Sequence, residues 1–475
     1  MAYRGPTDIQ VTKMSITNGN KSKTVDILAL NTELLLYESF KFNTLQGTVL
    51  LYDALDLIQE LPIIGEETLE VEWRVPDGDK VDESPPIYGE FYIYKISKRV
   101  RDKNSMSQVY VLHFCSIEQY VNLTKKVRRS YKNKPVHEMV KNIHNEFIKQ
   151  EVTKVYEADL SKGAPLLQKT LQIEETKTQQ TIVIPNLTPF DSMKFLAERA
   201  ESGENPSSTY AFWEDHNQIF HFKTIESFLG GECKQTYKLE PANVVYMPDD
   251  NTVDDAFNIA DITIVKTFDV LDNIQNGMYA SEILTHDMIL KKYETIQFDY
   301  KETFKSMKHI EEHKLVSNDS KGFTELGFGQ KEHASSKIFL PTTMTQPENE
   351  YIKSKTEPID PIRPTFIERF LLKYNSLKTQ LNNIVVHITI PGDHERVPGD
   401  IINLQIPAPH GLGGGGSTKA PFHEIKIGGK YLVTSVKHKW AYDTYLTQME
   451  IVKDTYGDVA EVGWPTKTLI EKCGG

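Results

Sequence analysis

Over the first 116 residues, apolar and polar positions alternate in short runs that turn residues break apart. Successive side chains of a strand point to opposite faces, so this period of two predicts half-buried antiparallel strands. They span residues 9–17, 24–36, 47–53, 68–75, 89–99 and 107–115, with turns at Asn18-Gly19-Asn20 and Pro76-Asp77-Gly78-Asp79. From Pro135 the period lengthens. Proline is tolerated at a first helical position, and Val136, Met139, Val140, Ile143 and Phe147 then share one face. Residues 151–180 are polar with little periodicity and read as a long connection. Thr188 can cap a second helix, with Pro189 at its first position and Asp191 complementing the dipole. Met193, Leu196, Ala197 and Ala200 form its buried side, and Gly203 ends it. Residues 210–213 and 218–222 read as the arms of a hairpin.

A strand is predicted over 258–273, and alternation returns over 293–300. Composition turns polar over 305–364, as in a surface excursion or linker. A helix over 366–381 carries Ile367, Phe370, Leu371, Tyr374, Leu377 and Leu381 at three- and four-residue spacing. It leads into strands at 383–390 and 401–406, separated by Val397-Pro398-Gly399-Asp400, and a hairpin with arms at 431–438 and 445–452. This C-terminal module mirrors the N-terminal one at two linked places. Ile64-Gly65-Glu66 before a strand matches Pro398-Gly399-Asp400 before another, and the run from Gly89 to Lys98 matches that from Gly429 to His438.

The predicted class is mainly β with α+β insertions, containing two similar small antiparallel β-barrel domains. The units are a first barrel at 1–116, a helix and connection at 117–180, and an α+β insertion at 181–304. A polar excursion at 305–365, a helix and second barrel at 366–460, and a tail at 461–475 complete the chain. Its 475 residues suffice for several cores.

Charge and cysteine content narrow the function. Lys plus Arg number 54 against 66 for Asp plus Glu, a net charge of -12, which opposes tight binding to nucleic-acid phosphates. The basic stretch Lys125-Lys126-Val127-Arg128-Arg129 lacks interleaved aromatics and reads as a solvated or subunit-facing surface. Cys115, Cys233 and Cys473 are odd in number and far apart, so no disulfide framework is written here. No run reaches the roughly 18 apolar residues of a membrane span, and no signal peptide or membrane anchor is expected.

The order of barrel, insertion, helix and second barrel resembles the baseplate central hub proteins of T-even-type contractile-tailed phages. The residues that carry the resemblance are Asn186-Leu187-Thr188-Pro189-Phe190, Phe212-Trp213-Glu214-Asp215, Phe268-Asp269-Val270-Leu271 through Asn276-Gly277-Met278-Tyr279, and Val397-Pro398-Gly399-Asp400 with Gly429-Lys430-Tyr431-Leu432-Val433. The chain is also similar to the hub half of type VI secretion spike proteins, from which it departs in having no triple β-helix repeats. The resemblance implies a structural homotrimer rather than an enzyme, with no cofactor. Its partners would be a spike protein, the tail tube protein and the surrounding baseplate wedge proteins, with DNA passing through a channel unbound. It implies a place in the virion tail after assembly in the bacterial host cytoplasm. The chain shows no evident lysozyme segment, so the resemblance implies that spike and cell-wall cleavage would sit on a separate protein.

Three stretches carry candidate chemistry. His309, Glu312 and His313 follow the H-x-x-E-H order of an inverted zinc-peptidase motif, which would set two imidazoles beside a base on one helical face. Their setting among Lys305, Lys308 and Lys314 favours a solvated segment over a metallopeptidase. The glycine-rich residues 411–417 lack the Gly-Lys-Ser/Thr order of a phosphate loop and read as a strand connection. Trp440, Tyr442 and Tyr445 cluster in the last hairpin and are expected either to pack under a loop or to make a subunit contact.

Overall fold

The structure, a computed structural model, describes residues 10–74, 87–101, 107–159, 169–177, 179–204, 208–239, 257–287, 291–311, 336–342, 367–406, 427–441 and 444–455. The N-terminal part supplies β1 (Gln10–Thr17), β2 (Thr24–Asp26), β3 (Asn31–Ser39), β4 (Gln46–Asp53), β5 (Thr68–Arg74), β6 (Ile87–Arg101) and β7 (Gln108–Cys115). Alternation puts Met14, Ile16, Leu34, Val49, Leu69, Phe91 and Phe114 on the inner face, where they form one core.

The insertion carries β8 (Val127–Pro135), β9 (Thr170–Ile173), β10 (Gln179–Leu187), β11 (Tyr210–Glu214) and β12 (Ile219–Thr224). β8 pairs with β10, and β12 lies between β11 and β9. Thr188 caps its helix as expected, its hydroxyl accepting from the Asp191 amide at 3.2 Å. The polar stretch 151–180 is more ordered than its sequence suggests. Gln150–Asp159 is helical and buries Val152 and Tyr156, while Thr170–Ile173 adds a strand parallel to β12.

Next come β13 (Cys233–Lys238), β14 (Asp261–Lys266), β15 (Ala280–Asp287), β16 (Lys292–Asp299) and β17 (Ser336–Thr342). The strand expected over 258–273 stops at Lys266. Asp269 starts a helix, Val270–Gln275, by accepting from the Asp272 amide at 3.0 Å. Part of the expected polar excursion is likewise structured, since β17 pairs with β15 in a three-stranded sheet. The helix Ile367–Leu381 places Leu372 against that sheet's core and Leu377 and Leu381 in a second cluster with Val385 and Leu432.

The C-terminal part supplies β18 (Ile384–Pro391), β19 (Ile401–Gln405), β20 (Gly429–Ala441) and β21 (Thr444–Lys453), around a core that includes Val386, Ile388, Ile402, Tyr431, Val433 and Ile451. Two separate barrels were expected, but the strands join in one 13-stranded sheet, ordered β14-β18-β21-β20-β3-β4-β7-β6-β5-β1-β2, with β19 and β13 branching from β20. The cause is the length of β20. Its first residues pair with the shorter β19 up to Leu432, and from Ser435 onward the same edge is taken by β3.

Candidate subunit interface

The internal repeat is visible in the ladders. In the first unit β4, β5, β6 and β7 lie in the order β4-β7-β6-β5, and in the second β18, β19, β20 and β21 lie as β18-β21-β20-β19, all antiparallel. The irregularities coincide too. β6 skips register between Ile93 and Lys95 against β7, and β20 does so between Val433 and Ser435 against β21. Gly65 and Gly399 share a left-handed backbone, at φ +105° and +109°. The sequence alignment needs one adjustment. Leu69 faces Phe91 and Ile402 faces Tyr431, so Glu67 rather than Glu66 occupies the place of Asp400. Glu67 accepts from the amides of Ile64 and Gly65 at 2.9 Å, and Asp400 accepts from the Val397 amide at 3.3 Å.

The seam between units is built by β3 and β20, which pair from Ser39 with Ser435 to Glu33 with Ala441. Lys439 reaches Glu33 at 2.9 Å across it. Beneath it Trp440 and Tyr445, both buried, stack at 4.9 Å and join the first unit's core, where Trp440 lies 5.8 Å from Trp73. The insertion meets the seam at the turn after β11. There the His216 ring bonds Glu38 of β3 at 2.7 Å, and Glu38 also accepts from His438 of β20 at 3.0 Å. Lys169, half-buried, is held by Glu118 at 2.7 Å and Glu214 at 2.5 Å, tying the insertion to the end of the first unit.

The equivalent of this seam is open at both ends of the chain's repeat. The stretch of β6 that corresponds to Ser435–Ala441 has β7 on one side and, among the described residues, no strand on the other. β14, which stands to β18 as β3 stands to β4, is the terminal strand of the sheet among the described residues. Ile264, Val265, Phe268 and Leu271, a short apolar strip of sequence in and after β14, are exposed, as are Tyr94 and Val100 on β6. Tracing the ladders puts Asp261 in the place of Glu33, Thr263 in that of Leu35, and Val100, flanked by Arg99 and Arg101, in that of Lys439. Sequence reasoning overlooked these two edges. Their signal lay in Phe268-Asp269-Val270-Leu271, read only as part of a resemblance.

The other expected sites change character. Trp440 and Tyr445 are buried where the two units meet, and Tyr442 lies outside the described residues. His309 is not on a helix. Its Nδ1 lies 2.8 Å from Asp454 and its Nε2 3.0 Å from the Phe304 carbonyl, so both ring nitrogens are engaged within the chain. Glu312, His313 and residues 411–417 lie outside the described residues. The basic stretch is engaged internally, with Lys125 on Glu151 at 2.7 Å and Arg129 on Glu146 at 2.6 Å. No helix among the described residues is long and apolar enough to cross a membrane.

No protein-family model matches the chain, and no curated protein matches it in sequence. Solved structures do match. A tail protein from Neisseria meningitidis MC58 aligns over 93% of this chain and 96% of its own, with 10% identity and a TM-score of 0.50. The 43 kDa tail protein of prophage MuSo2 from Shewanella oneidensis aligns over 93% and 98%, at 8% identity and a TM-score of 0.46. A type VI secretion component from E. coli aligns over 95% and 78%, at 7% identity and a TM-score of 0.37. Over nearly its whole length, the chain shares the fold of the tail protein from Neisseria meningitidis.

Proposed function

We propose that this protein is a structural baseplate hub, a homotrimeric ring with pseudo-six-fold symmetry that adapts a hexameric tail tube to a trimeric cell-puncturing spike. The observation that carries the reading is the duplicated unit joined by a β3–β20 seam whose counterpart is, among the described residues, unpaired on β6 and β14. An unpaired edge is a template for another strand. A second copy that places its β14 against β6 would repeat the internal seam, with Asp261 brought to Arg99 and Arg101 as Glu33 is to Lys439. The contact is head-to-tail, and such contacts form rings when their rotation closes. Three chains then present six like units in alternation, enough to meet a six-fold tube on one face and a three-fold spike on the other. The channel would let the genome pass, and the chain's net charge of -12 would keep DNA from adhering to the wall. Baseplate wedge proteins would surround the ring, and its work is symmetry matching without catalysis.

Two measurements test this. Native mass spectrometry is expected to show a trimer that gains a trimeric spike, and a monomer at micromolar concentration would count against the ring. For the seam itself, Val100→Cys combined with Thr263→Cys is expected to give chains covalently linked between copies under oxidising conditions, with neither single variant doing so. A trimer that forms without that cross-link would move the subunit contact elsewhere.

A further inference from the structure

Glu38, His216 and His438 are far apart in sequence and come from β3, the β11–β12 turn and β20, yet their ligand atoms all lie within 4.8 Å of one another. All three are buried. We propose that this cluster is a structural site for a divalent ion of the zinc type, held by one Glu38 oxygen, His216 Nδ1 and His438 Nε2. Two imidazoles and a carboxylate are a donor set that zinc accepts, with one coordination position left for a water. Donor atoms around a tetrahedral ion with bonds of ~2.0 Å stand about 3.3 Å apart. Here Glu38 lies 2.7 Å from His216 Nδ1 and 3.0 Å from His438 Nε2, so those two edges open by a few tenths of an ångström, while the two imidazole nitrogens, within 4.8 Å of each other, draw in toward the same spacing.

The surroundings suit ligation, because metal-bound residues are held by partners on their other polar atoms. The His216 amide donates to the second Glu38 oxygen at 3.1 Å, and His438 Nδ1 lies 2.7 Å from the Tyr445 hydroxyl. The His216 ring also engages the backbone of His394. Without an ion the cluster is a closed ion pair. Glu38 is pushed down to about 2, because the two histidines outweigh the burial that opposes its charge, and His216 is raised by Glu38 in spite of its own burial. Ligation requires His216 Nδ1, which faces the Glu38 carboxylate at 2.7 Å, to release its proton as the ion enters. The His438 proton moves to Nδ1 and is accepted by Tyr445, whose own proton can turn to Thr447. The positive charge gained is offset by Asp215 and Asp393, whose fields already reach His216 and His438.

The site does not depend on ring formation. Wild-type protein incubated with zinc chloride and passed through gel filtration is expected to retain one zinc per chain, and to melt at a higher temperature than after chelator treatment. Cobalt(II) alone should give the intense visible absorption of a tetrahedral site. His438→Gln and Glu38→Gln should lose the bound ion, and His309→Gln should keep it. Absence of retained zinc and of cobalt absorption in the wild type would overturn the assignment without recourse to any variant. So would a folded His438→Gln protein that binds zinc as the wild type does.

Discussion

At the scale of single residues, buried polar groups make the sharpest expectations. His144 sits in the insertion core against Phe220 at 5.3 Å, and burial pushes its pKa down to about 4. An unfolded histidine titrates near 6.5, so as pH falls from about 6.5 toward 4 the unfolded state takes a proton that the folded state refuses. Stability is then lost on acidification, by up to ~3 kcal/mol from this group. His144→Leu should flatten that acid limb in urea denaturation compared at pH 7 and pH 5. Gly392 offers a steric test. A Cβ there would stand 1.8 Å from Tyr445 Cδ1, and Gly392→Ala should cost roughly 1–3 kcal/mol because the stacked Tyr445 and Trp440 must move. Trp440→Ala removes a buried indole from the seam and should lower unfolding free energy by about 3–5 kcal/mol, read by the same denaturation.

At the scale of elements, regular patterns were legible and exceptions were not. The helix at Thr188-Pro189 declared its cap, its first proline and its buried face, and all three appear. Strands β4 to β7 and β18 to β21 were readable because alternation survives wherever one face is wet and the other dry. Gln150–Asp159 was hidden because only Val152 and Tyr156 anchor it, too few apolar positions to show a period. The cut at Lys266 was hidden because Asp269 acts as a cap rather than a strand residue, a difference set by a hydrogen bond to Asp272. The pairing of β3 with β20 could not be read at all, since alternation fixes which face a strand buries and says nothing of its neighbour. His216, Glu38 and His438 stayed dispersed for the same reason.

At the scale of the whole molecule, the duplication sets what can assemble. A charge placed on an exposed edge leaves a folded chain nearly unchanged, typically within about 0.5 kcal/mol. Ile264→Asp is therefore expected to keep the melting temperature while converting trimer to monomer in native mass spectrometry, because Ile264 is 44% exposed on β14, whose outer edge is unpaired among the described residues. A drop in melting temperature with intact trimer would show that the strip serves the fold instead. The same variant should still bind zinc, which separates the assembly reading from the metal site.

The β3–β20 seam also sets a clock. The Ser39 hydroxyl bonds Thr434 across 395 residues of sequence, and Glu38 meets His438 across 400. At synthesis rates of about 5–20 residues per second, β3 leaves the ribosome roughly 20–80 seconds before its partner exists. Throughout that interval the nascent first unit carries an uncovered strand, able to pair wrongly with a neighbouring chain on the same message. Slow arrival of the last strands thus makes crowding of nascent chains during translation a hazard that final stability does not measure.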